Sequence, residues 1–286
     1  MNRIFVCLLL ISNVAISQVS SADSLSIDLP VDPAQKLTGI FHSTRIIQSQ
    51  SVELLAKGNL DVRILHRFGR LSDGVKELFG LDQASMRMSF DYGVMDWLTV
   101  GIGRSTYRKE YDGLVKVRLM QQSTDKGSTP FNLVLVAGAM IRTADEVSGN
   151  GYKPTAGDRT SFYGQLLAGR KFSPGFSAQL SATLLHMNYV PDESWNNTQV
   201  AVGIGVRQKL SKRFALTFDH QLVITGLPAD YYFPLGIGFD IETGGHVFQL
   251  HFSNAVGMNE RAFLTETTDR FFKGEIRFGF NLSRMF

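Results

Sequence analysis

From Asn59 to its C-terminus the chain alternates between apolar and polar residues. LDVRILHRF (Leu60–Phe68) sets Leu60, Val62, Ile64, His66 and Phe68 on one side, and Asp61, Arg63 and Arg67 on the other. ASMRMSFDY (Ala84–Tyr92) opposes Met86, Met88 and Phe90 to Arg87, Ser89 and Asp91, and YDGLVKVRL (Tyr111–Leu119) opposes Val115, Val117 and Leu119 to Lys116 and Arg118. VAVGIGVRQKL (Val200–Leu210) opposes Val202, Ile204 and Val206 to Gly203, Gly205, Arg207 and Lys209. A period of two with unlike faces marks a strand whose sides meet different surroundings. Further runs lie near Trp97–Ser105, Phe131–Arg142, Phe162–Phe172, Phe176–Asn188, Phe214–Thr225, Leu235–Glu242, His246–Ser253 and Glu275–Phe286. Together they predict about twelve strands of roughly nine to thirteen residues, an even number and the length a tilted membrane strand requires. Around Leu133–Met140 and Leu166–Leu167 both faces are apolar, so the pattern does not assign them.

The connections alternate in length. Short links at Gly93–Trp97, Lys171–Phe176, Leu210–Phe214 and Glu242–Gly245 separate longer ones near Gly69–Gln83, Thr143–Arg159, Val190–Asn197, Gly226–Phe233 and Asn254–Lys273. Gln122–Pro130 and Ser105–Glu110 blur the rule. An up-and-down barrel inserted from one side sorts its loops this way; a soluble sandwich has no reason to. Aromatic residues gather at the predicted strand ends: Trp97, Phe131, Phe172, Phe176 and Phe214 near the short turns, and Tyr107, Tyr111, Tyr189, Trp195 and Tyr231–Phe233 at the other rim. Such girdles suit a membrane interface. The expected fold is therefore all-β, an up-and-down antiparallel transmembrane β-barrel whose apolar face is outside.

Ahead of the strands, Asn2 and Arg3 precede an apolar core, Ile4–Ile11, too short to span a bilayer as a helix. This predicts a signal peptide over 1–22, cleaved after 17 or 22. The only cysteine, Cys7, lies within it, so the exported chain would carry no thiol for disulfides, zinc or nucleophilic catalysis. Residues 23–58 read as an N-terminal arm. Ser51, Glu53 and Gly58 suit the start and end of a short helix, either a plug at a barrel mouth or a packed surface turn. Residues 59–286 read as the barrel. The net charge of +3 gives no reason to expect nucleic acid.

The polar face supplies the candidate lumen residues: Arg63, Arg67, Arg87, Asp91, Lys116, Arg118, Arg207, Lys209, Asp219, Asp240 and Arg277. Two readings stay open. Opposed charges can pair and fill a narrow barrel, or the basic lining can favour a small anionic solute. GIG recurs at Gly101–Gly103, Gly203–Gly205 and Gly236–Gly238 without completing a nucleotide-binding motif; inward glycines leave room for long side chains from facing strands. The six histidines form no metal-ligand spacing, so no metal or cofactor is expected. His66 and His220 fall on the apolar face, where a polar group is costly, and are the only candidates for lipid-directed chemistry.

The final strand, IRFGFNLSRMF, ends on Phe286. Gly279, Leu282 and Phe286 resemble the C-terminal signal by which assembly machinery recognises outer-membrane barrels, and Arg284 departs from it. FHSTRI (Phe41–Ile46), HRFG (His66–Gly69), ELFGLDQAS (Glu77–Ser85), FDYGVMDWLTVGIGRS (Phe90–Ser105), YDGLVKVRL (Tyr111–Leu119), GFDIETGGHVFQLHFSN (Gly238–Asn254) and GEIRFGFNLSR (Gly274–Arg284) together resemble an uncharacterised outer-membrane-type β-barrel family of Bacteroidetes-like bacteria, domain of unknown function 5777. The resemblance implies a barrel and an envelope location, and no reaction or catalytic residues. The combined expectation is a non-enzymatic protein of the bacterial outer membrane, a narrow channel or a scaffold, whose partners are outer-membrane lipid and the barrel-assembly machinery. The alternatives are an outer-membrane enzyme acting on lipid and a soluble periplasmic β-barrel binding a small ligand.

Overall fold

The computed structural model describes residues 35–124, 128–144, 151–190, 195–243 and 246–286. The expected signal segment and the first part of the arm lie outside the described residues. Twelve antiparallel strands form one closed barrel: β1 (Leu60–Arg70), β2 (Ala84–Met95), β3 (Leu98–Ser105), β4 (Glu110–Met120), β5 (Asn132–Arg142), β6 (Thr160–Lys171), β7 (Phe176–Met187), β8 (Thr198–Lys209), β9 (Phe214–Val223), β10 (Leu235–Thr243), β11 (His246–Ser253) and β12 (Arg277–Met285). Each strand pairs with its neighbours in sequence, and β12 closes on β1 with Met285 opposite Asp61 and Arg277 opposite Arg70. Phe286 extends this seam. Its N–H donates to the Leu60 carbonyl at 2.8 Å, and its own carbonyl accepts from Leu60 N–H at 3.0 Å. The ring thus has no open edge, the condition for strands to persist in hydrocarbon.

Burial fixes which face is which. Ile102 and Leu180 are 65% and 64% exposed, whereas Arg63, Arg67, Arg87 and Lys116 are each 1% exposed. Water would enforce the opposite order. The exposed apolar band is flanked by Trp97, Phe172, Phe214 and Phe286 at the short-turn rim and by Tyr111, Tyr152 and Phe233 at the long-loop rim.

The expected helix over Ser51–Gly58 does not form. The segment is extended and ends in a turn at 57–58, because side chains of the barrel wall take its main-chain groups before a helix can. The one α-helix among the described residues is α1 (Glu260–Thr265), in the long loop between β11 and β12. Asn259 caps it by accepting from Ala262 N–H at 2.9 Å, and Glu260 favours its first turn.

The lumen as candidate functional site

The barrel is filled by its own chain. Gln35–Lys36 pair with Ser123–Thr124 in the link between β4 and β5, at the short-turn end. The arm then enters the lumen as a hairpin. Arg45 bridges to Gln50, and Ile46 N–H donates to the Ser49 carbonyl to close the tip. Glu53 braces the two limbs by accepting from Ile40 and Phe41 N–H at 2.7 and 3.1 Å.

Wall residues hold this hairpin by its main chain. Asp219 on β9 accepts from three successive amides, Ile47, Gln48 and Ser49, at 3.3, 2.9 and 2.9 Å, and from the Ser49 hydroxyl at 2.8 Å. Lys116 on β4 donates to the carbonyls of Thr44, Ser51 and Glu53 at 3.0, 3.0 and 3.2 Å. Gln179 on β7 accepts from Val52 N–H at 2.7 Å and donates to the Gln50 carbonyl at 2.8 Å, as a neighbouring strand would. Gln249 on β11 donates to the Ile46 carbonyl at 2.6 Å. Asn281 on β12 and Arg67 on β1 donate to the Ile47 carbonyl at 2.9 and 3.2 Å. Buried peptide groups left unpaired would be costly, so these contacts make the arm's burial possible.

Glycines on the wall make space for the arm's side chains. A Cβ on Gly205 would stand 2.1 Å from Ile46 Cδ1, one on Gly169 2.6 Å from Val52, and one on Gly236 3.0 Å from Ile47. The other GIG glycines face long side chains from neighbouring strands: Gly101 faces Asp91, Gly103 faces Arg87, Gly203 faces Gln221 and Gly238 faces His251. Gly279 serves the same end, since a Cβ there would meet His251 Nε2 at 2.5 Å. Ile40, Phe41, Ile46, Ile47 and Val52 join wall residues Val134, Val136, Leu167 and Leu185 in one buried apolar cluster. This explains the unassignable faces of β5 and β6: their inner side packs on the arm while their outer side meets the membrane.

The sequence-predicted lumen residues divide by depth. Arg63, Arg67, Arg87, Asp91, Lys116, Arg207, Asp219 and Asp240 are buried inside the ring. Arg63 pairs with Asp61 at 2.5 Å and donates to the Thr44 hydroxyl at 2.8 Å. Arg87 engages Asp112 through two nitrogens, at 2.9 and 2.5 Å. Asp240 accepts from Gln249 at 3.0 Å. Arg118 is half-buried at the short-turn mouth, donating to the Asp96 carbonyl at 3.1 Å, and Arg277 pairs with Asp269 at 2.7 Å at the opposite rim. Lys209 is exposed at the end of β8, so it lines no lumen: the strand reaches its turn there and the side chain meets water. A cavity of about 180 Å³ remains beside the arm at the short-turn mouth, lined among others by His42, Glu53, Asp61, Arg63 and Ser283.

From the long-loop side, residues 254–269 fold inward over the hairpin, and α1 is wholly buried. Glu260 meets the arm directly, 3.3 Å from Arg45 and 3.0 Å from Gln50 Nε2. Arg261 reaches the wall, donating to both oxygens of Glu110 at 2.6 and 2.9 Å and to Glu266 at 2.7 Å. Burial pushes the Glu266 carboxyl upward, but the Arg261 guanidinium outweighs it and holds the group below its ordinary range. Asn259 followed by Glu260 is a helix-start signal within what the sequence pattern reads only as a long connection, and the inward turn of the loop has no local signal.

The histidines stay apart. His66 stacks on Phe280 across the seam, with centroids 5.0 Å apart, and His220 Nδ1 lies 2.9 Å from the Pro234 carbonyl. Neither is hydrogen-bonded to a serine hydroxyl among the described residues. No cluster of metal-ligating side chains occurs among the described residues either.

No curated protein sequence matches the chain. In fold it is similar to the NanC porin, with a TM-score of 0.50 at 8% identity, over 79% of this chain and 98% of the porin. The KdgM porin follows at a TM-score of 0.45 and 6% identity, over 80% and 98% of the two chains. Omp33 of Acinetobacter baumannii follows at 0.42 and 11%, over 80% and 99%. Likeness at such identities is one of fold, that of an outer-membrane barrel. Residues 41–286 match the membrane bound beta barrel domain family of unknown function, DUF5777, and the chain belongs to that family.

Proposed function

We propose that the protein is a non-enzymatic outer-membrane barrel closed by its own arm, a scaffold of the envelope and not an open pore. The observation that carries this reading is the clamping of the hairpin's main chain by Asp219, Lys116, Gln179 and Gln249, from four strands spaced around the ring. Three of the buried cations that would attract an anionic solute are already engaged, Arg63 by Asp61, Arg87 by Asp112 and Lys116 by arm carbonyls. A small anion would find a basic lining only after the arm had left. Outer-membrane lipid covers the apolar band, and the last strand, with Gly279, Leu282 and Phe286, is the segment offered to assembly machinery. Planar-bilayer recording of the full chain tests this reading. No conductance is expected at either polarity; steady single-channel currents would overturn it.

A further inference from the structure

We propose that the lumen wall is a binding site for a polypeptide hairpin, with residues 43–52 of the arm as its resident occupant, and that a hairpin of a second polypeptide carrying similarly spaced aliphatic side chains can take the same place. The inference rests on the plugged reading above and names the ligand class of that site.

The chemistry of the contacts is what identifies the class. Asp219 reads three consecutive amide N–H groups, Lys116 reads three carbonyls, and Gln179 reads one N–H and one carbonyl two residues apart. Three successive amides on one carboxylate oxygen are what the tip of a polypeptide hairpin presents, and a sugar, a lipid headgroup or an inorganic anion presents neither these nor the carbonyls of its limbs. A side-chain amide that both accepts and donates to one segment reproduces the edge of a β-ladder, the usual means of capturing an extended peptide without regard to its side chains. Selectivity then comes from shape. Gly205, Gly236 and Gly169 leave hollows that Ile46, Ile47 and Val52 fill, so the site prefers aliphatic side chains at those three places. Polar readout of the occupant's side chains is sparser: Glu260 with Arg45 and Gln50, Arg63 with Thr44, Asp219 with Ser49, and Ser253 with Gln48. Both limbs of the hairpin reach the short-turn mouth, and Ala56–Gly58 are exposed there. A competing segment would enter by that opening.

Exchange in the full-length barrel tests the proposal. A specific protease sequence is inserted between Lys57 and Gly58, and the folded protein is cut in detergent, leaving the arm held only by non-covalent contacts. A fluorescent synthetic peptide of residues 36–57 is then added, with a scrambled peptide of the same composition as control. The cut barrel is expected to take up the arm peptide saturably and to ignore the scrambled one. Affinity should fall at least tenfold in Gln179→Ala and in Lys116→Met, two separate variants whose heat-modifiable mobility reports that each has folded. Absence of uptake by a cut barrel that keeps its folded mobility overturns the proposal, as does equal uptake of the scrambled peptide. Bilayer recording of the uncut chain is read separately: a silent barrel that exchanges nothing loses this inference and keeps the plugged reading, whereas a conducting one loses both.

Discussion

Asp219 shows how one side chain can decide whether a segment of chain is inside or outside a barrel. Its two oxygens satisfy three amides and a hydroxyl of the hairpin tip. Asp219→Ala would leave those amides buried without acceptors, at about 1–3 kcal/mol for each group that water cannot reach. The expected outcome is a folded barrel whose arm is cut at Lys57 at least ten times faster, measured by limited proteolysis in detergent. Gly205 makes the complementary case. Gly205→Val would drive a side chain into Ile46, whose Cδ1 already stands 2.1 Å from the position of a Cβ. Overpacking of this kind costs about 1–3 kcal/mol. Ile46→Ala should recover part of the loss, and a double-mutant cycle of unfolding midpoints that proved additive would break the claimed contact.

At the scale of elements, the strands were legible because each has unlike faces, and the alternation of turn and loop followed from their order. The lining residues came with them, since a residue's parity along a strand fixes its side. Two features escaped that logic. Ser51–Gly58 carries good helix signals, yet those are local preferences of about 1 kcal/mol or less per residue, and the wall's hydrogen bonds to Val52, Leu55 and the carbonyls of Ser51 and Glu53 override them. Lys209 shares parity with Arg207, but parity says nothing about depth, and the strand ends there. The outer cover around α1 makes a prediction of its own. Glu266 is held below its ordinary value of 4.5 by Arg261 despite its burial. A depressed acid stabilises the fold fully above its unfolded pKa, and that contribution is lost as pH falls through the folded value. Proteolysis of the loop over 254–276 should therefore be slow at neutral pH and quicken as pH drops below about 4.5, and Glu266→Gln should flatten that dependence. A rate that rose with pH instead would contradict the assignment.

Across the whole molecule, ring closure and filling belong together. The seam hydrogen bonds between Leu60 and Phe286 lie at the mouth through which the arm passes. Removing Phe286 deletes both of them and shortens the closing seam at its end, so the shortened chain should show a smaller heat-modifiable fraction after refolding into detergent. The apolar cluster of arm, wall and α1 has a calorimetric consequence. Surface on the outside of a barrel exchanges one hydrocarbon for another when the protein unfolds in micelles, and contributes little hydration change. The residues gathered around Ile46, Val136 and Phe263 are instead shielded from water by protein alone. Their exposure should give this barrel a positive heat-capacity increment of the kind seen when a water-soluble domain melts, and shortening the arm's aliphatic side chains should shrink that increment while the strands stay paired.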